Sequence, residues 1–203
     1  MAPESSKTVV TLTDAVAAAL REACSKQPCF EDSIAAARRA IQTGVEQGYD
    51  LDARWLESDA DKRLPGKYRR HQVVSDPDYG FTVVVLLWEP GACTPIHDHD
   101  TWCVFACLQG EMEVTNYAVI EDDGQSNIKL AEVGREHAQA FSIGDNAGKD
   151  TEVHRVRNVG ETRAVSLHVY GADLTKRTLF DGRGIQVEGK TGCMAFQSKE
   201  PVY

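Results

Sequence analysis

The segment GACTPIHDHDTWCVFACLQG, from Gly91 to Gly110, concentrates the residues of this chain best suited to metal chemistry. His97 and His99 are separated by one residue. On a strand, residues two apart project from the same face, so both imidazoles can aim at one divalent cation. A third ligand must come from elsewhere, and His154, in EVHRVRN, could be carried inward by an adjacent antiparallel strand. A cysteine, Cys103, follows four residues after His99.

Two further stretches carry polar groups in a pattern. In RAVSLHVYG, Val165, Leu167 and Val169 alternate with Ser166, His168 and Tyr170, so one strand face is apolar and the other holds three polar side chains. Such a strand is either half-exposed to water or lines a site. In KYRRHQ, Tyr68 and Arg70 are two apart and share a face. A planar guanidinium there could grip a carboxylate through two parallel hydrogen bonds.

The spacing G91-x5-H97-x-H99-x3-C103-x6-G110, followed by H154-x3-N158, resembles the two motifs of the cupin superfamily. Cys103 replaces the usual glutamate ligand, and the customary proline before the second motif's histidine is absent. The first departure has a chemical consequence. Two histidines and a carboxylate leave iron(II) with a formal charge of about +1, whereas three neutral histidines leave the full ionic charge. That centre favours an anionic soft ligand, and coordination deprotonates a thiol outright.

PIHDHDTWC, LLWEPG, LQG, HRVRNV and AVSLHVY together resemble the thiol dioxygenases, the cysteine dioxygenase group of the cupins, over approximately Tyr68 to Asp181. The resemblance implies iron(II), one per chain, held by His97, His99 and His154, with O2 as co-substrate and a sulfinic acid as product. It implies that Ser166 orients His168, which positions the Tyr170 hydroxyl beside substrate and oxygen. It also implies a thioether between Cys103 and Tyr170, since mammalian members carry a cysteine at this position joined to the site tyrosine. Arg70, with Tyr68 beside it, matches the carboxylate-binding position of cysteine dioxygenases, where relatives that oxidise 3-mercaptopropionate commonly carry glutamine. HDHDTW and YGADL look more like the bacterial mercapto-acid branch, in which Arg177 would match an additional carboxylate-binding arginine. L-cysteine is the substrate this favours, with 3-mercaptopropionate and mercaptosuccinate as alternatives. A non-catalytic cupin that binds metal and a small ligand is the rival of another class.

The elements that must position these residues divide the chain. TLTDAVAAALREAC reads as a helix capped by Thr13, with Val16, Leu20 and Ala23 on one face. FEDSIAAARRAIQTGV repeats the style with Ile34, Ala37, Ile41 and Val45, and DLDARWLESDADKR reads as a third, short helix closed by Pro65-Gly66. From Tyr68 the texture is β. FTVVVLLW is one strand, TWCVFACLQG and EMEVTNYAVI read as a hairpin turning at Gly110, EDDGQSN is an acidic turn, and AQAFSIGDN is a strand with a turn. HRVRNVG and RAVSLHVYG are two more strands. Short strands between turn signals point to an all-β fold, a barrel or sandwich. With the resemblance, the expectation is a cupin, jelly-roll-type β-barrel with an N-terminal α-helical layer. Residues 1–66 would form the helical segment and 67–203 the barrel, as a single structural domain. Trp102 and Tyr68 could wall the pocket, while His71 and His137 fall outside the metal spacing.

At 203 residues the chain can bury a substantial core, and its net charge of −9 argues against nucleic-acid or anionic-membrane partners. No apolar run approaches the ~20 residues of a membrane span. The N-terminus lacks a secretory pattern, and six cysteines without a dense framework suit a reducing compartment. A cytoplasmic protein, monomeric or weakly self-associating and acting on a small thiol carboxylate, is the expectation.

Overall fold

The computed structural model describes residues 10–24, 30–56, 66–99, 101–123, 127–145, 153–171 and 184–188. Helix α1 spans Leu12–Cys24 and α2 spans Phe30–Glu46. The cap of α1 is Thr11 rather than Thr13. Its hydroxyl accepts from the Asp14 amide at 3.3 Å, and the Asp14 carboxylate accepts from the Thr11 amide at 3.2 Å. This reciprocal pair satisfies donors that the first helical turn leaves open. Val16 and Leu20 of α1 and Ile34, Ala37 and Ile41 of α2 are buried as their spacing requires. The third helix, α3, is a single turn, Ala53–Leu56; Asp50, Leu51 and Asp52 of the expected segment are not helical, and its residues after Leu56 lie outside the described residues. Among the described residues, no helix is long and apolar enough to cross a membrane.

The strands are β1 Tyr68–Asp76, β2 Phe81–Trp88, β3 Cys103–Gln109, β4 Glu111–Asp122, β5 Asn127–Gln139, β6 Ile143–Asp145, β7 Val153–Asn158, β8 Ala164–Tyr170 and β9 Gly184–Glu188. They form two sheets, one in the order β1-β2-β8-β3-β6 and the other in the order β7-β4-β5-β9. All pairings are antiparallel except β5 with β9. The hairpin expected at Gly110 does not form. β3 pairs with β8 and β6, whereas β4 belongs to the other sheet, so Gly110 is the corner at which the chain changes sheets. Its φ of 81° is left-handed, and a Cβ there would lie 2.8 Å from Ala164 Cα, so a side chain is excluded on both grounds. AQAFSIGDN is likewise divided. β5 ends at Gln139, Phe141 turns with φ 71°, and β6 begins at Ile143.

The central strands β2 and β8 of the first sheet are buried on both faces, which explains why β2 is apolar at every position but Thr82. Val83, Val85, Leu87, Val104, Ala106, Val165, Leu167 and Val169 pack with the buried residues of α1 and α2. The alternate residues, Val84, Leu86, Trp88, Cys103, Cys107 and Tyr170, pack instead with Met112, Val114 and Val156 of the second sheet. The helical layer therefore covers one side, and the barrel interior lies on the other. Period-two alternation along β8 assigns Val165, Leu167 and Val169 to the helices and leaves Ser166, His168 and Tyr170 on the interior face.

Candidate metal centre

His97 and His99 lie in the connection between β2 and β3 rather than on a regular strand. What aims His97 is an isolated antiparallel bridge to His154 on β7, in which each amide donates to the other's carbonyl. The bridge sets the two imidazoles 4.5 Å apart, centroid to centroid, and His99 stands 4.8 Å from His97 and 4.9 Å from His154. All three are buried, and one ligand nitrogen from each falls within a 4.8 Å group. His97 Nδ1 is 2.9 Å from the Pro95 carbonyl oxygen, to which it donates, so its Nε2 carries the lone pair. A backbone carbonyl holding the second ring nitrogen is the usual means of orienting a histidine ligand. Three buried imidazoles suit a borderline divalent metal such as iron(II), which takes nitrogen donors readily.

Facing this cluster is the polar side of β8. The Tyr170 ring meets His99 edge-on at 5.0 Å. Behind it, Tyr170 Oη is 3.4 Å from His168 Nδ1, and His168 Nε2 is 2.8 Å from Ser166 Oγ. The chain continues one step past the residues expected from the sequence, because the Trp88 indole donates to Ser166 Oγ at 2.8 Å. Burial, with smaller contributions from His154 and the Arg70 charge, lowers the pKa of His168 to about 3, so its imidazole is neutral. Phe105 stacks on His168, and a Cβ at Gly144 would strike the Phe105 ring at 2.4 Å, so the glycine gives that ring its room.

Cys103 opens β3 directly across from Tyr170, and its thiol lies 3.9 Å from His168 Nδ1 and in hydrogen-bond reach of the Tyr170 hydroxyl. Burial drives the Cys103 pKa far up, opposed in part by the Tyr170 hydrogen bond, so the group is a neutral thiol. Arg70 pairs with Leu86, an interior residue, whereas Arg69 pairs with Leu87 on the helix side. Arg70 is therefore the arginine that faces the barrel, and its charge is felt at His168. Tyr68 shares that face and stacks on Trp88 at 4.8 Å.

Other expectations separate from the site. Trp102 belongs to the helix-side core, with Gly171 so close that a Cβ there would meet its indole nitrogen at 2.1 Å; it does not wall the pocket. His71 packs against Trp55 and His137 is exposed beside Glu113, both away from the cluster. Arg177 lies outside the described residues. The Asn of the second motif, Asn158, is fully buried. It donates to the carbonyls of Trp88 and Thr162 and accepts from the Gly160 amide, tying the end of β7 to the end of β2. Trp88 was the one partner of the β8 chain that no spacing pointed to.

A cupin barrel carrying a three-histidine cluster defines the class. The family model for cysteine dioxygenase type I matches residues 53–183, and the chain belongs to that family. Cysteine dioxygenase type 1 of Bos taurus is 33% identical over 120 residues, covering 58% of this chain and 58% of that protein. The Homo sapiens protein of the same name is 32% identical over the same coverage. The chain thus matches under two thirds of the length of these curated relatives. Among solved structures, oxalate oxidase in complex with glycolate superposes with a TM-score of 0.44 at 17% identity, over 66% of this chain and 67% of the other.

Proposed function

We propose that this chain is an iron(II)-dependent thiol dioxygenase acting on a small thiol carboxylic acid, L-cysteine above its mercapto-acid analogues, to give the sulfinic acid. The observation that carries the reading is the convergence on the barrel interior of three buried histidines from one side and, from the facing sheet, the Trp88–Ser166–His168–Tyr170 chain and the Arg70 charge. His97, His99 and His154 would hold one iron(II) per chain, with O2 as co-substrate. When bound, the metal supplies open positions and a positive charge that three neutral imidazoles leave uncompensated, which favours a thiolate.

The remaining work falls to the protein. Arg70 binds the substrate carboxylate and so fixes the thiol's distance from the histidine cluster. Tyr68 flanks that anchor, and Arg177 is assigned as a second basic anchor. Tyr170 holds its hydroxyl beside the reacting sulfur, and His168 and Ser166 hold Tyr170. Because His168 is buried and neutral, it orients without adding charge. Cys103 is assigned the thioether to Tyr170, which would lock the phenol in place. Both oxygen atoms end on sulfur, the sulfinic step of thiol oxidation, so no external reductant is needed.

Oxygen-electrode assays of the iron-loaded chain against cysteine, 3-mercaptopropionate, mercaptosuccinate and cysteamine test the proposal. Thiol-dependent uptake greatest with cysteine is the expected outcome. Uptake with none of the four would refute the enzyme reading, and a preference for 3-mercaptopropionate would remove the selectivity assigned to Arg70.

A further inference from the structure

We propose that Trp88 is a positioning residue that sets the direction of the hydrogen-bond chain on β8. Its indole N–H donates to Ser166, Ser166 donates to His168 Nε2, and the imidazole proton on Nδ1 is donated to Tyr170. The role of Trp88 follows from what each group is able to do. An indole nitrogen only donates, so in the 2.8 Å contact Ser166 Oγ must accept. Among the described residues, the Ser166 hydroxyl meets the indole and the His168 ring, and Ser166 is fully buried.

Two arrangements of the second contact are conceivable. If His168 Nε2–H donated, Ser166 would accept twice and its own proton would be left in the core without an acceptor, which is costly. If Ser166 donates to Nε2, every group in the chain is satisfied. A doubly protonated ring, which would make the question moot, is disfavoured by the burial of His168 at 6% exposure. Neutral His168 therefore carries its proton on Nδ1, the nitrogen 3.4 Å from Tyr170 Oη. The phenol oxygen accepts there, and its own proton is left for the groups on its other side, Cys103 Sγ and whatever lies against the histidine cluster. Tyr170 becomes a standing donor toward the site. The indole N–H bars the reverse direction because it cannot accept the Ser166 proton. Where a ring sulfur or a water stands in its place, that proton gains an acceptor, the Ser166–His168 contact can run in either direction, and Tyr170 spends part of its time donating back to His168.

The consequence for turnover rests on the thiol dioxygenase reading; the direction of the chain does not. The test is the tautomer of His168 in the full-length, 15N-labelled chain loaded with zinc(II) as a diamagnetic stand-in, read from long-range proton–nitrogen spectra and assigned with His168→Gln. The expected result is a single tautomer protonated on Nδ1. A ring protonated on Nε2 overturns the proposal. In Trp88→Phe, which keeps a ring against Tyr68, the Nε2–H tautomer is expected to appear beside the first. Benzothienylalanine introduced at position 88 removes the N–H while keeping the bicyclic shape, and the same mixture is expected in it. An unchanged tautomer in that folded variant also overturns the proposal. In the iron-loaded protein, turnover falls by about 10–100-fold with benzothienylalanine at position 88. Correct tautomers without thiol-dependent oxygen uptake would sink the proposed function and leave the role of Trp88 standing.

Discussion

His97 and His154 face each other across a two-residue antiparallel bridge, the His97 amide donating to the His154 carbonyl at 3.0 Å and the reverse bond spanning 2.8 Å. The imidazoles converge because the backbone beneath them is bonded, not because the side chains hold one another. His154→Ala should therefore keep the bridge and the barrel while removing one donor. We expect unchanged far-ultraviolet circular dichroism and metal affinity weakened by at least about tenfold, measured by competition with a chelator. Unaltered affinity would exclude His154 as a ligand.

Arg70→Gln removes a charged fork while leaving a hydrogen-bonding amide on the same strand face. A charge-assisted hydrogen bond contributes about 1.5–3 kcal/mol, so KM for cysteine should rise by roughly 10–100-fold, with a smaller change for cysteamine, which has no carboxylate. Equal losses for both thiols would show that Arg70 serves the fold rather than the carboxylate.

The neutral state of His168 makes stability depend on pH. Its pKa is about 3 when folded, against an ordinary value of 6.5. In the unfolded chain it protonates first, so its contribution is full above pH 6.5 and is lost as pH falls toward 3. Each pH unit in that window costs about 1.4 kcal/mol from this group alone. Denaturant unfolding of the metal-free chain between neutral pH and about pH 4 should lose roughly 3 kcal/mol more than the same titration of His168→Gln. Parallel curves for the two proteins would mean that His168 titrates normally.

Asn158 joins three backbone groups with no exposure to water. Asn158→Ala strands those partners in the core, at a cost of about 2–4 kcal/mol. A drop in Tm of roughly 5–15 °C follows for a chain of this size, read by differential scanning calorimetry. A shift under 2 °C would mean water replaces the amide without penalty.

The register that sets Cys103 opposite Tyr170 supports a covalent link formed during turnover. One S–H and one ring C–H hydrogen would be lost, with dioxygen as the oxidant. Peptide mass spectrometry after reaction should find the two peptides joined, two hydrogens lighter than their sum. Cys103→Ser should abolish the joined species, and its absence from the wild-type protein would dismiss the thioether.

Much of this protein follows from local pattern. The alternation along RAVSLHVYG divides β8 into a helix-facing side and an interior side, and the apolar spacing of α1 and α2 marks the faces that cover the sheet. The interval between His97, His99 and His154 marks the candidate ligands before any coordinate is known. The first two are short-range properties, determined by side-chain direction along a strand or helix, whereas the three histidines converge through the backbone bridge between the β2–β3 connection and β7.

What tertiary structure alone decided involves partners distant in sequence. TWCVFACLQG and EMEVTNYAVI have the local pattern of a hairpin, and only competition for β8 and β7 sends them to different sheets. Arg69 and Arg70 are indistinguishable until β1 pairs with β2 and turns one toward the helices and the other inward. Trp88 and Ser166, 78 residues apart, meet only because β2 and β8 are neighbours, and that contact orients the whole chain of donors. Sequence spacing determines which side chains can share a face. Which faces meet is decided by long-range strand pairing and the burial that rewards it.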